Sequence, residues 1–210
     1  MPEFDDAFRA RLVELLTWRR DVRRFRREPL PEGLLEHLLD GAALAPSVGL
    51  SQPWRFVLVE DAARRVAVRA NFERANAEAL AAYAGEEAAH YARLKLAGLD
   101  EAPVQLAVFA DRTTAQGRGL GRQTMPETIE YSAVIAIHTL WLVARAHGVG
   151  MGWVSILDPC SLARTLEVPA DWSLVAYLCL GYPAEPGDTP ALEREGWERR
   201  RARESFLLRR

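Results

Sequence analysis

Four short runs rich in β-branched and aromatic residues, WRFVLVE (54–60), QLAVFA (105–110), VGMGWVSIL (149–157) and SLVAYLCLGY (173–182), lie far apart among longer stretches of helical periodicity. The strands do not alternate strictly with helices, and no G-x-G-x-x-G turn follows any of them. This pattern disfavours a doubly wound dinucleotide-binding sheet. It predicts an α+β sandwich, with a central mixed or antiparallel sheet flanked by helices. No repeat, linker or compositional break divides residues 1–210, which read as a single domain.

Phe8, Leu12, Leu15 and Leu16 recur at helical spacing, and a second helix from about Pro31 to Leu44 sets Leu34, Leu35, Leu38 and Leu39 on one face. From Ala62 to about Leu96 the Ala-, Glu-, Arg- and Leu-rich chain predicts two helices, or one broken at Gly85. A Gly-rich loop from Asp111 to Met125 leads into a long apolar helix at 128–147. Asp158-Pro159 has the chemistry of an N-cap followed by a first helical turn, and the tail beyond Pro183 is charged and loop-like.

With 27 basic against 29 acidic residues, no global positive charge is available to hold a polyanion, so neither nucleic acid nor a membrane surface is expected as a partner and any anion must be gripped locally. The two cysteines have neither disulfide-framework nor zinc-site spacing, and no metal is expected. The first residues lack an apolar core of signal-peptide length, and a reducing cytoplasm is the expected setting.

Two local constellations carry chemistry. Arg19, Arg20 and Arg23 around Asp21 place three guanidinium forks within five residues, suited to converging on a phosphate dianion; a solvated basic turn has the same composition. The loop Ser47-Val48-Gly49-Leu50-Ser51-Gln52 offers two hydroxyls, an amide and a glycine that lets a ligand approach the backbone, although Ser-, Gly- and Pro-bearing loops commonly join a helix to a strand. No G-x-S-x-G elbow is present, and the four histidines have no telling spacing, which argues against a serine hydrolase.

Taken in order, RRDVRRF, APSVGLSQPWRF and GVGMGWVSIL resemble the nitroreductase-like flavoprotein family across almost the whole chain. That resemblance implies a homodimer with FMN at the subunit interface. Arg19, Arg20, Asp21, Val22 and Arg23 would lie along the flavin, the three arginines holding its phosphate with Arg200 as a further basic residue, and Ser47, Gly49, Leu50, Ser51 and Gln52 would line the isoalloxazine. Many members place Asn where this chain has Leu50 and Ser where it has Asp21. Those departures, with RANAEALAAYAGEEAAHYARLKLAGLDEAPVQL, LGRQTMPETIEYS and GWVSILDP, resemble a branch of the family in which reduced FMN is itself the substrate.

For that branch the resemblance implies O2-dependent fragmentation of reduced FMN to 5,6-dimethylbenzimidazole, the lower ligand of cobalamin, with release of erythrose 4-phosphate. Asp21 and Ser155 would then be the catalytic pair, residues 71–99 a helical lid, and a flavin reductase a possible source of reduced FMN. A conventional NAD(P)H-dependent nitro- or flavin reductase and a non-catalytic flavin- or corrinoid-binding partner are the competing readings. On residue type alone, Ser155 in an apolar strand reads instead as a small packed residue with its hydroxyl bonded to backbone.

Overall fold

The computed structural model describes residues 3–93 and 97–210. Its elements run α1 (Asp6–Trp18), α2 (Leu34–Ala43), β1 (Trp54–Leu58), α3 (Ala62–Ala81), α4 (Gly85–Arg93), α5 (Gly98–Glu101), β2 (Val104–Asp111), α6 (Thr128–Ala146), β3 (Gly150–Val154), α7 (Pro159–Thr165), β4 (Trp172–Gly181) and α8 (Ala191–Arg194). Aspartates start three of the helices by satisfying amides that have no intrahelical acceptor. Asp5 accepts from Phe8 N, Asp61 from Arg64 N, and Asp158 from both Cys160 N and Ser161 N, with Pro159 next in the chain. The second helix begins at Leu34, three residues later than its periodicity suggests, because Gly33 enters it in the left-handed conformation.

The sheet order is β1-β2-β4-β3, and every neighbouring pair is antiparallel. The only parallel pairing described is an isolated bridge between Asp21 and Met151. Alternation along β2 and β4 divides the core. Ala107, Phe109, Tyr177 and Cys179 face a layer with Phe25, Val68 and Leu162, while Leu106, Val108, Ala176, Leu178 and Leu180 face one with Leu38, Ala42, Ile137, Leu140 and Ala144. Helices α3 and α7 therefore cover one face of the sheet, and α2 and α6 the other.

Helix α6 is long and apolar enough to cross a membrane, but its Ala133, Ile137, Leu140 and Ala144 stripe is buried against the sheet. Its other side leaves Tyr131, Val134 and Ile135 exposed, and α1 has no buried residue although it carries Phe8, Leu12 and Leu16.

The two-helix reading of residues 62–93 holds, with the break at Gly85, whose φ of +57° suits a residue without Cβ. The expected lid at 71–99 is pinned at both ends; its residues 94–96 lie outside those described. Asn71 is buried and makes two hydrogen bonds with the backbone of Asp158, donating to its carbonyl at 3.0 Å and accepting from its amide at 2.8 Å. At the other end Gly98 packs against Phe25 and Cys179. Next to the first anchor, Phe72 also packs against the core layer of Phe25, Val68 and Leu162.

Candidate active site

The chain leaves α1 in an extended conformation and docks residues 20–25 beside β3. Val22 N donates to Met151 O at 3.0 Å, and Trp153 N donates to the Asp21 carboxylate at 2.9 Å. The glycines of the GMG motif make this approach possible. A Cβ on Gly152 would stand 2.2 Å from Val22 O, and one on Gly150 would stand 2.7 Å from the Val22 side chain. The glycines thus serve the docking of the Asp21 segment, a role their spacing alone does not disclose.

Asp21 points into β3. Its side chain is 40% exposed, and Arg23 Nε stands 3.7 Å from its second oxygen, an ion pair too long for a hydrogen bond. Desolvation nevertheless raises its pKa above the usual carboxylate range, outweighing the opposing effects of the Trp153 amide, Arg23 and Arg19. The carboxyl therefore takes up a proton more readily than an ordinary aspartate, although two guanidinium groups lie near it.

The arginines converge. Arg19 lies 4.8 Å from the ring centre of Trp141, whose indole N–H donates to Arg20 O. Arg20 is braced by hydrogen bonds from Nε to Asp188 O at 2.5 Å and from Nη1 to Arg19 O at 2.7 Å. Burial, followed by the charge of Arg200, lowers the pKa of both Arg19 and Arg20, although both remain cationic at neutral pH. The tail has thus returned Arg200 to the first arginines from the far end of the sequence. Among the described residues, the buried Nε atoms of Arg19 and Arg23 have no protein acceptor. Each such orphan costs roughly 1–3 kcal/mol. A phosphate fits this donor set, supplying both the missing acceptors and the charge that relieves the crowded guanidinium groups.

The Ser47–Gln52 loop is a strained turn closed on itself. Ser47 Oγ accepts from Gln52 N, Ser132 Oγ accepts from Val48 N, and Leu50 and Gln52 adopt φ of +56° and +41°. The room left by Gly49 is used by the chain itself: a Cβ there would stand 2.9 Å from Leu120 O. Ser51 is buried and its hydroxyl has no partner among the described residues, whereas Leu50 is 69% exposed.

No hydrogen bond or ion pair joins this loop to Arg19–Arg23 among the described residues. The loop is held at Ser132 and the arginines at Trp141, about 13 Å apart along α6 at 1.5 Å per residue. Ser155 lies one residue beyond β3 and is exposed, which rules out the packed-strand alternative for it.

Trp141, Trp153 and the glycines of β3 are site residues that sequence reasoning did not single out. Their partners are more than 100 residues away, and the one local signal was the i, i+2 glycine pair at 150 and 152.

The nitroreductase family model matches residues 16–182. Two curated relatives named 5,6-dimethylbenzimidazole synthase are similar over nearly the whole chain. That of Rhodospirillum rubrum is 58% identical over 95% of this chain and 95% of its own, and that of Rhodobacter capsulatus 51% identical over 93% and 94%. Among solved structures, iodotyrosine deiodinase bound to FMN and 3-iodo-L-tyrosine matches with a TM-score of 0.70 at 27% identity, over 84% of this chain and 91% of that one. Fold and sequence agree, and the chain belongs to the nitroreductase family.

Proposed function

We propose that this chain binds reduced FMN and uses O2 to fragment it into 5,6-dimethylbenzimidazole and erythrose 4-phosphate, so that the flavin is substrate rather than resident cofactor. The observation that carries this reading is Asp21, a carboxyl of raised proton affinity fixed by the Trp153 amide beside arginines whose buried nitrogens have no protein acceptor. The names carried by the most similar relatives support the same chemistry. When bound, reduced FMN supplies the electrons that O2 accepts and the ribityl chain that is cut.

The residues of this chain divide the remaining work. Arg19, Arg20, Arg23 and Arg200 hold the phosphate, and their positive field fixes the end of the ribityl chain. Asp21 holds and moves a proton near the ribityl chain, its burial raising its proton affinity above that of an ordinary aspartate. Ser155, exposed just past the end of β3, offers a hydroxyl two residues from the amide that binds Asp21. Val22 sets the backbone register of this segment against Met151. Ser47, Gly49, Leu50, Ser51 and Gln52 line the ring.

The separation of loop from arginines within one chain supports a site shared by two copies, the arginines from one and the loop from the other. The exposed apolar sides of α1 and α6 supply surface for that pairing. Residues 71–99 serve as the lid that keeps water from the reacting flavin. Reduced FMN comes from a separate flavin reductase, in a reducing cytoplasm that suits the free, exposed Cys160.

The test mixes purified protein with chemically reduced FMN in air and follows products by mass spectrometry, with Asp21→Asn and Ser155→Gly alongside. The expected result is 5,6-dimethylbenzimidazole from the wild type and its loss in both variants. Reoxidation of FMN without fragmentation, together with NAD(P)H-dependent reduction of quinones or nitroaromatics, would replace this reading with that of a conventional reductase.

A further inference from the structure

The loop at 116–121, part of the long Gly-rich connection before α6, is interlocked with the Ser47–Gln52 loop. A Cβ on Gly117 would stand 2.7 Å from Gly49 O, one on Gly49 would stand 2.9 Å from Leu120 O, and one on Gly121 would stand 2.8 Å from the Val48 side chain. Four residues of this second loop, Gly117, Arg118, Gly119 and Gly121, have positive φ. Two left-handed loops pressed backbone to backbone leave little room between them, so their relative position depends on a few polar contacts.

One side chain makes those contacts. The Gln116 amide nitrogen donates to Leu50 O at 2.8 Å and to Gln52 Oε1 at 3.2 Å, using both of its N–H groups. With its oxygen engaged by Gln116, the Gln52 amide leaves its NH2 end as the part available to a ligand. A primary amide whose acceptor end is held by a donor presents only donors outward. Leu50 supplies no side-chain hydrogen bond and the Ser51 hydroxyl is buried, so the half-buried Gln52 is the residue of the Leu50–Gln52 tip that can offer a ligand a side-chain donor.

We propose that Gln116 is a positioning residue that sets the orientation of the Gln52 amide, so that Gln52 donates a hydrogen bond to a carbonyl or ring-nitrogen acceptor of the bound isoalloxazine. This rests on the FMN reading above. The chemistry makes Gln116 hard to replace. A glutamate of the same shape carries no N–H, repels Leu50 O, and draws the Gln52 NH2 group toward itself, turning the Gln52 oxygen toward the flavin. A methionine fills the same volume and leaves the Gln52 amide free to turn either way.

The experiment titrates the full-length wild type, Gln116→Glu, Gln116→Met and Gln52→Leu with oxidised FMN, reading Kd from flavin fluorescence and the position of the bound flavin's near-450 nm band, with a melting curve for each protein. The expected result is that Gln116→Glu weakens FMN about five- to tenfold, as loss of one hydrogen bond predicts, and shifts the band in the same direction as Gln52→Leu. Gln116→Met is expected to fall between wild type and Gln116→Glu. Adding Gln116→Glu to Gln52→Leu should then cost little more, because the orientation has nothing left to orient. Unchanged affinity and spectrum in Gln116→Glu, or additive losses in the double variant, would overturn the inference while leaving FMN binding intact. A wild type that binds no FMN would overturn the FMN reading and this inference together.

Discussion

The two ends of the site are built on opposite principles. At the arginine end the backbone is extended and tied to β3 by an isolated bridge between Asp21 and Met151, and crowded guanidinium charge with orphaned buried nitrogens creates the demand for a ligand. At the Ser47–Gln52 end the backbone turns left-handed at Gly49, Leu50 and Gln52, no charged side chain belongs to the loop, and a hydrogen bond to Ser132 and one from Gln116 hold its shape. On the proposed function the contrast separates two tasks: the charged end would anchor the phosphate and carry the Asp21 proton site, and the neutral end would position the ring. The two ends should therefore fail differently when broken.

The largest effect is expected from Gly152→Ala. Its Cβ would collide with the Val22 carbonyl, so the segment bearing Arg19–Arg23 must leave β3; FMN binding should be lost and melting should drop by several degrees, whereas an alanine at the open Gly148 would bring only the milder cost of its positive φ. Calorimetry with FMN titration checks both arms.

Next in size is Asp21→Asn, which keeps an acceptor for the Trp153 amide and removes the proton site. Product formation should fall by about a hundredfold or more, the usual scale of general acid–base catalysis, while FMN affinity is retained or improved. A rapid-quench assay at saturating reduced FMN separates these outcomes.

Arg19→Ala follows, weakening FMN about ten- to a hundredfold, the scale of a hydrogen bond to a charged group, with binding that loses part of its salt dependence. Ser51→Ala, at the neutral end, removes a buried hydroxyl with no protein partner, so it should leave stability intact and change FMN affinity with no change in salt dependence. Titrations at two ionic strengths show whether the division of labour is real.

The smallest effect is on stability. Because the Asp21 pKa is raised in the folded protein, the folded state binds more protons than the unfolded one between the ordinary carboxylate pKa and the raised value, and stability falls as pH rises through that window. Asp21→Asn should therefore melt higher than the wild type above that window, with the gap closing only well below pH 4, where the aspartate is protonated in both states. A pH series of melting curves checks this sign.

Local chemistry made much of this legible from sequence. The four strands, the break at Gly85 and the Asp158 cap follow from period, backbone freedom and side-chain reach within a few residues. The arginine cluster and the Ser47–Gln52 loop were visible as motifs, and resemblance gave them an order and a purpose. What could not be read was which distant groups meet. The Asp21 carboxylate and Trp153 amide are 132 residues apart. Gln116 reaches back to Leu50 across 66 residues. Asn71 and Gly98, near the two ends of the expected lid, are likewise tied to the core by partners that no local pattern announces.

The central claim is that one flavin site takes its charged end from one chain and its neutral end from another. Subunit complementation tests it most directly. Arg19→Ala/Arg23→Ala and Gln52→Leu/Gln116→Glu, each impaired alone when reduced FMN is limiting, are co-expressed with different tags, and the mixed dimer is purified and assayed for 5,6-dimethylbenzimidazole at that limiting concentration. If the ends come from different chains, a mixed dimer concentrates all four substitutions in one site and leaves the other intact, so it should recover about half of the wild-type activity per dimer. Activity no higher than that of either parent would contradict the shared site.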